Sequence, residues 1–243
     1  MYTIEYNIIT FNNYYNGTDF VEIIERENMI EKRIDEIHFG ESFNQDISLL
    51  PQYIKRIKLD KDFNKQIDFL PKELTHLKIN SKFNYPINNL PSGLTHLYLG
   101  WNFSQSIDNL PKGLIDLTLG ISFNKPIDNL PQGLTYLILG NNFNQSINFL
   151  PMSLIHLTLK NHFNKSLDNL PVGLKELNFL GYSSRFSKSF DFLPEGLTHL
   201  KLPYNFNGNL KNLPKSLKQI EVGYLFDLEI NHIPKHIKII IDD

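Results

Sequence analysis

A period of twenty residues runs through most of this 243-residue chain. Phenylalanine marks the period, and a proline follows each marking phenylalanine after eight residues. The spacing lengthens only once, by three residues, between Pro171 and Phe186. A fixed period decides the architecture, because every unit builds the same local structure and stacks on its neighbour. The marking phenylalanines are Phe43, Phe63, Phe83, Phe103, Phe123, Phe143, Phe163, Phe186, Phe206 and Phe226.

Each unit follows the pattern F-N-x-x-I-x-x-L-P-x-x-L-x-x-L-x-L-x-x-x. The L-x-x-L-x-L part alternates apolar and polar residues at its end, which predicts a short half-buried strand. In one unit Leu97 and Leu99 would point inward, and His96 and Tyr98 outward. Proline cannot donate to a strand ladder, so the Leu-Pro step is expected in a turn outside the sheet. The pattern predicts eleven strands, beginning near residues 34, 54, 74, 94, 114, 134, 154, 174, 197, 217 and 237.

A single coil of twenty residues buries too little apolar surface to offset its loss of conformational entropy. Stacked coils share backbone hydrogen bonds and bury both faces of each apolar layer. The chain also contains no alanine, the strongest helix former, whereas isoleucine, phenylalanine and asparagine are abundant. The sequence therefore predicts a mainly β parallel solenoid of about eleven 20-residue coils.

The repeat resembles two related patterns. L-x-x-L-x-L followed by a turn and an L-P step is similar to a short leucine-rich repeat. FNKPI at 123–127 and FNYPI at 83–87 resemble the FNIP repeat family, known chiefly from social amoebae and giant viruses. The resemblance extends over residues 43 to 243, and it implies a leucine-rich-repeat-like fold with a protein-interaction role.

Two columns of the repeat are expected to hold neighbouring coils together. The phenylalanines should stack as a spine, since aromatic rings one coil apart fall within the favourable range for aromatic pairs. The residue after each phenylalanine is short and polar, as in Asn44, Asn64 and Asn124. We expect this second column to satisfy backbone groups in the turn from coil to coil.

The two ends depart from the repeat. Asp19 and Glu22 have the spacing of a capping box, which predicts a helix near 20–32 after an irregular strand near 2–11. We therefore divide the chain into an N-terminal α/β cap at residues 1–33 and a repeat solenoid at 34–243. The last strand, near 237–241, is an apolar edge that could pair with another chain. A monomer with a frayed last strand is the expected alternative.

Composition and motifs exclude several classes of function. The chain has no cysteine, a net charge of -2 and a pI near 6.4, so it offers no thiolate site and no overall field for nucleic acid. No apolar run is long enough for a membrane helix, and the start does not read as a signal peptide. No catalytic or phosphate-binding motif is present. We expect an intracellular, cytoplasmic protein, in a host cell if viral, without enzymatic activity or cofactor.

The outward side chains of the strands are the candidate site, because parallel strands align them into columns that one partner can contact. An aromatic and apolar centre ringed by polar residues has the composition of a binding hot spot. An ordinary sheet surface with scattered apolar residues remains open. The candidate partner-binding residues are His76, His96, Tyr98, Trp101, Asp116, Tyr136, Ile138 and His156.

Three features near this face have two interpretations each. His76, His96 and Asp116 on adjacent strands could hold a divalent metal. Duplication of the repeated T-H-L sequence also explains the histidines without any ligand. We therefore predict no metal site. A basic cluster is interpreted as a solvated face rather than a phosphate site. The insertion at 181–185 should bulge from the rim, either as a functional loop or as a neutral one. The basic cluster comprises Lys55, Arg56, Lys58, Lys61 and Lys78.

Two functions remain open from the sequence. The first is a non-enzymatic module that presents the outward strand face to a partner protein. The second is a structural or drifting product of repeat duplication with no dedicated ligand.

Overall fold

The computed structural model describes residues 1–29, 33–80, 82–206, 208, 210, 212–223, 226 and 233–242. It divides into two compact units, Met1–Ile121 and Ser122–Asp243. Both units are built from successive β-strands, as the twenty-residue period predicts. Among the described residues, no helix is both long and apolar enough to cross a membrane.

The first unit contains one helix and seven strands within its described residues. Strands β1 and β2 form an antiparallel hairpin, and each later strand pairs in parallel with the strand before it. The elements are β1 (Tyr2–Glu5), β2 (Ile8–Phe11), α1 (Phe20–Met29), β3 (Glu36–Phe39), β4 (Arg56–Leu59), β5 (His76–Ile79), β6 (His96–Leu99) and β7 (Asp116–Leu119).

The second unit contains six strands within its described residues, and neighbouring strands pair in parallel in chain order. The edge strand predicted near 237–241 is present as the last of them. The strands are β8 (Tyr136–Ile138), β9 (His156–Lys160), β10 (Glu176–Leu180), β11 (His199–Lys201), β12 (Gln219–Gly223) and β13 (Lys238–Asp242).

Each coil consists of a turn, a strand and a second turn. In one coil the amide of Leu74 donates to the Pro71 carbonyl across 3.1 Å, which closes the first turn, and β5 begins only at His76. The predicted strand starts are therefore wrong by about two residues. The first leucine of L-x-x-L-x-L belongs to the turn, because its amide is used there and cannot join the ladder.

The core is made of the apolar slots of the repeat. In the coil at 123–142, six apolar side chains are at most 4% exposed: Phe123, Ile127, Leu130, Leu134, Leu137 and Leu139. The predicted phenylalanine spine is confirmed in both units. Phe63 lies 6.4 Å from Phe43 and 6.3 Å from Phe83 between ring centroids, with the ring planes within 19° of parallel. In the second unit Phe143 and Phe163 stack at 6.2 Å.

The polar column beside the spine forms the predicted ladder. The amide of Asn64 donates to Asn44 Oδ1 at 2.9 Å, and the amide of Asn164 donates to Asn144 Oδ1 at 2.9 Å in the second unit. In six steps among the described residues, the amide of one coil donates to the asparagine side chain of the coil before it. The column therefore satisfies backbone donors that face away from the strand ladder.

The N-terminal region packs on the first coil through α1. Phe20 meets the rings of Phe39 and Phe43 edge-on, at 5.4 and 5.3 Å between centroids. The single irregular strand predicted near 2–11 is wrong, because the chain reverses at Tyr6, whose φ is 56°, and forms the hairpin β1–β2. The helix ends at Met29 in the structure, and residues 30–32 of its predicted range lie outside the described residues. The division at residue 33 stays a prediction.

The insertion follows β10, as predicted. Gly181 adopts a φ of 114°, and the exposed Tyr182 follows it. The three extra residues do not interrupt the phenylalanine spine, because Phe186 still stacks on Phe163 with the ring centroids 6.2 Å apart. Any function of this loop remains untested.

Candidate functional site

The outward face of the first unit is built from two rows of side chains. Strands β3 to β7 bury every second residue, so the first and third residues of each strand face outward. The parallel register places equivalent residues of neighbouring strands side by side, for example His76 beside His96 and Lys78 beside Tyr98. The first row is Glu36, Arg56, His76, His96 and Asp116, and the second is His38, Lys58, Lys78, Tyr98 and Thr118.

These two rows line a shallow open cavity of about 330 Å³, which we call the strand-face groove. Four of the predicted site residues lie in it: His76, His96, Tyr98 and Asp116. The structure therefore brings them together on one surface.

His76 and His96 form the centre of the strand-face groove. Their rings stack with centroids 4.1 Å apart and planes within 7° of parallel. Each ring also contacts the threonine before it, with Nδ1 at 2.8 Å from Thr75 Oγ1 and at 2.9 Å from Thr95 Oγ1.

The threonines determine which nitrogen of each neutral ring carries the proton. The hydroxyl of Thr75 donates its proton to the Lys55 carbonyl at 3.1 Å, and that of Thr95 donates to the Thr75 carbonyl at 3.0 Å. We infer from these bonds that each threonine oxygen accepts from the adjacent histidine, which assigns the proton of each neutral ring to Nδ1 and leaves Nε2 as an acceptor.

Burial and neighbouring charge disfavour the charged forms of two groups here. The pKa of His76 is lowered, first by burial, then by His96 and Arg56, while Glu36 acts in the opposite direction. The pKa of Asp116 is raised by burial, which outweighs the opposing effect of His96.

Cationic side chains surround the histidine pair. Arg56 Nη1 lies 3.5 Å from Glu36 Oε2, and Lys78 Nζ lies 4.7 Å above the centre of the Tyr98 ring. Glu36 Oε1 is also 2.7 Å from His38 Nε2. Arg56, Lys58 and Lys78 belong to the basic cluster that is interpreted from the sequence as a solvated face, and they line the strand-face groove beside the histidines.

A second cavity adjoins the end of β6. This cavity of about 340 Å³, the rim pocket, is lined by Trp101, Tyr98, Asn80, Lys61 and other residues. Trp101 is 61% exposed. Tyr98 lines both the rim pocket and the strand-face groove, so the two cavities adjoin at this residue.

The remaining predicted site residues lie in the second unit. Tyr136 and Ile138 are half-buried on β8, and His156 is half-buried on β9. The Tyr136 and His156 rings are 5.5 Å apart, and His156 Nδ1 lies 2.9 Å from Glu176 Oε2. These residues form an aromatic and ionic cluster of their own.

The geometry does not favour the metal alternative. Parallel rings direct their Nε2 lone pairs along parallel lines, so those of His76 and His96 do not converge on one ion. Among the described residues, no group of three or more His, Asp or Glu side chains is arranged to hold a metal.

Several groove residues were not among the predicted site residues: Glu36, His38, Arg56, Lys58, Lys78 and Thr118. The signal that identifies them is the strand register itself, since they occupy the same two outward slots as His76 and Tyr98.

Comparison with known proteins identifies the repeat. The FNIP Repeat family model matches residues 47–82, 83–122, 107–142, 123–162 and 186–224, which together cover more than half of the chain. No curated protein sequence matches the chain.

Among solved structures, the chain is similar to CroV588 from a giant virus, described as a novel circular LRR protein. The two are 37% identical with a TM-score of 0.83, over 99% of this chain and 41% of CroV588. This chain thus spans well under half the length of that protein.

Two bacterial proteins are more distantly similar. YopM from Yersinia enterocolitica WA-314 is 18% identical with a TM-score of 0.29, over 86% of this chain and 73% of its own. A leucine-rich repeat protein from Bacteroides ovatus ATCC 8483 is 14% identical with a TM-score of 0.21, over 87% of this chain and 84% of its own. The family model matches more than half of the chain and shows that this chain belongs to the FNIP repeat family.

Proposed function

We propose that this chain is a non-enzymatic interaction module whose strand-face groove engages a partner protein. Leucine-rich-repeat-like folds are commonly protein-interaction scaffolds and are typically not enzymes. The proposal goes further, because it assigns the contact to named residues of the outward strand face.

The observation that carries the proposal is that one residue, Tyr98, lines two neighbouring cavities. The strand-face groove offers stacked imidazoles and cations, and the rim pocket offers the exposed indole of Trp101. Tyrosine, tryptophan and arginine are the residues most enriched at the centres of protein interfaces. Within the first unit, His76, His96, Tyr98, Trp101 and Asp116 are the proposed contact residues.

The second unit contributes its own proposed contact residues, Tyr136, Ile138 and His156. The tyrosine and histidine rings lie close together, and Glu176 holds the histidine through Nδ1. Because that carboxylate only accepts, Nδ1 is protonated and Nε2 is available to a partner.

A quantitative pull-down from the native host cell tests the proposal. The double variant Tyr98→Ala with Trp101→Ala removes both aromatic walls of the rim pocket, and we expect it to lose a specific partner that the unchanged chain retains. The matched control is Phe69→Ala with Phe149→Ala, which removes two rings that are 73% and 67% exposed elsewhere on the repeat. The control should retain the partner.

Equal protein lists for all three baits would contradict the proposal. That result would favour the other function left open by the sequence, a structural or drifting repeat product without a dedicated ligand.

We further propose that the protein acts as a monomer in the cytoplasm. Light scattering after size exclusion tests the first point, and a tagged chain imaged in host cells tests the second.

A further inference from the structure

Charge is ordered across the five strands that form the strand-face groove. Carboxylates stand at the two ends of the first row, Glu36 on β3 and Asp116 on β7. Between them lie the cations Arg56, Lys58 and Lys78 and the His76–His96 pair, all lining the groove. The centre of the groove is therefore complementary to an anion, and its ends are not.

The cations are held in place on this surface. Lys58 Nζ lies 3.9 Å from Asp60 Oδ2, and the Lys78 ammonium rests on the Tyr98 ring. Lys78 has no carboxylate partner within 4 Å among the residues that the structure describes. A cation oriented by an aromatic face is available to an incoming carboxylate and loses little freedom on binding.

The histidine pair supplies a second recognition element. The threonine contacts orient both rings through Nδ1, and with the proton of each neutral ring assigned to Nδ1, each Nε2 is an acceptor. An acceptor repels a carboxylate. When a ring gains a proton, its Nε2 becomes a charged donor at the same position, without any change of rotamer.

We propose that the strand-face groove binds a short acidic segment of the partner protein, two or three successive Asp or Glu side chains, and that binding adds a proton to the His76–His96 pair. This inference rests on the proposed function and names the chemistry of its partner. Neighbouring strands are about 4.8 Å apart, so the cationic centre from β4 to β6 spans about 10 Å. Longer acidic runs would meet Glu36 or Asp116 and be repelled.

The pH dependence follows from the groups that face the histidines. On its own strand His76 has Lys78 as a neighbour. On the flanking strands it meets Arg56 and Lys58, and His96 and Tyr98, with Glu36 and His38 one strand further out. Asp116 is the direct neighbour of His96 and favours a positive charge there. Arg56, Lys58 and Lys78 disfavour a positive charge on His76, and an anion bound at the centre offsets these three cations. Affinity should therefore rise as the pH falls.

The test uses the full chain, a heptapeptide with three consecutive glutamates between Gly-Ser and Ser-Gly, and the same peptide with glutamines. The Kd is measured by isothermal titration calorimetry at pH 8 and pH 6, and the imidazole carbon resonances are followed by NMR. The charge of the glutamates is constant in this range. We expect the Kd of the glutamate peptide to fall about tenfold, within the limit of about tenfold per pH unit for each proton taken up.

Two double variants separate the two recognition elements. The double variant His76→Gln with His96→Gln should abolish the pH dependence. The double variant Lys58→Gln with Lys78→Gln should weaken binding at both pH values and leave the pH dependence in place. His199 is an internal control, since Thr198 holds its Nδ1 at 2.9 Å in the same way but its row neighbours are Glu176 and Gln219. At constant pH, its resonance should not move when the peptide is added.

Several results would overturn the inference. They are equal binding of the two peptides, a Kd that does not change with pH, a shift of His199 as large as that of His76, and inorganic phosphate at equal concentration producing the same shifts. None of them touches the proposed function, which depends on the Tyr98 and Trp101 pull-down. If the Tyr98 and Trp101 variant loses the partner in that pull-down but the glutamate peptide does not bind, the proposed function stands. Only the acidic nature of the partner segment is then refuted.

Discussion

The Nδ1 atom of His76 lies 2.8 Å from the Thr75 hydroxyl oxygen, and that hydroxyl lies 3.1 Å from the Lys55 carbonyl oxygen. The same arrangement would form in any coil in which threonine precedes histidine at this slot. We infer from it that the neutral His76 ring is the Nδ1-protonated tautomer.

The first prediction concerns this tautomer. Long-range proton–nitrogen spectra above pH 8 should show His76 with Nδ1 protonated. Thr75→Val removes the accepting oxygen and should shift His76 toward the Nε2-protonated form, which is the more common one in free imidazoles. The control is His38, whose Nε2 lies 2.7 Å from Glu36 Oε1 and must carry the proton. Identical spectra for His76 and His38 would refute the assignment.

The asparagine ladder gives a second prediction. Asn124 Oδ1 accepts from the Asn144 amide at 2.9 Å and from Gln145 Nε2 at 3.0 Å. Asn124→Leu leaves the Asn144 amide without this partner and should lower the free energy of unfolding by about 0.5–1.5 kcal/mol. Asn124→Asp keeps an oxygen in place and should lose less. Denaturant unfolding measures both, and an unchanged midpoint for the leucine variant would show that water replaces the ladder at no cost.

The phenylalanine spine gives a third prediction. Phe63 is fully buried between the rings of Phe43 and Phe83. Phe63→Ala should destabilise the protein by about 3–5 kcal/mol, through lost burial and the cavity left behind. Phe69→Ala in the same repeat is the control, since Phe69 is 73% exposed and its loss should cost less than about 0.5 kcal/mol. Thermal and denaturant unfolding compare the stabilities of the two variants. Equal losses of stability would mean that the buried ring of the spine contributes no more than an exposed ring.

A glycine that follows a strand gives a fourth prediction. A Cβ added at Gly100 would lie 2.3 Å from the backbone oxygen of Asn80 in the coil before it. Gly100→Ala should therefore force the coils apart and cost about 1–3 kcal/mol. Gly93 is the matched control from the same repeat, because its added Cβ meets nothing closer than 3.9 Å. If both alanine variants unfold at the same denaturant concentration, the close approach is not a constraint.

The fifth prediction is a pH dependence of stability at Asp116. Burial raises the pKa of its carboxyl above the unfolded value, so the folded state holds this proton more tightly than the unfolded state does. The stability from that proton is fully present below the unfolded pKa and is lost as the pH rises through the folded pKa. Asp116→Asn should raise the melting temperature at pH 7.

This gain from Asp116→Asn should shrink to nothing as the pH falls below 3.8, the ordinary pKa of an aspartate carboxyl. Calorimetry across this range provides the measurement. A gain that is constant with pH would assign the effect to packing rather than to the charge.

The sequence alone was sufficient for everything that the period fixes. Residues in the same slot of successive coils must be neighbours, so the spine through Phe63 and the ladder through Asn44 could be read from spacing. The parallel register of His76 beside His96 follows in the same way. The strand starts were predicted about two residues early, because spacing does not reveal that the amide of Leu74 is used by the Pro71 turn.

Only the tertiary structure revealed the features that depend on residues departing from the repeat. The hairpin turn at Tyr6 lies outside the period, and the place of Lys78 in the groove depends on the ring of Tyr98 one strand away. The Nδ1 proton of His76 depends on a hydroxyl whose own proton goes to a carbonyl of the previous coil. A period determines which backbone positions meet, because all coils share it. Rotamers, protonation and local charge are set by neighbours that differ from coil to coil, and only the folded chain brings those neighbours together.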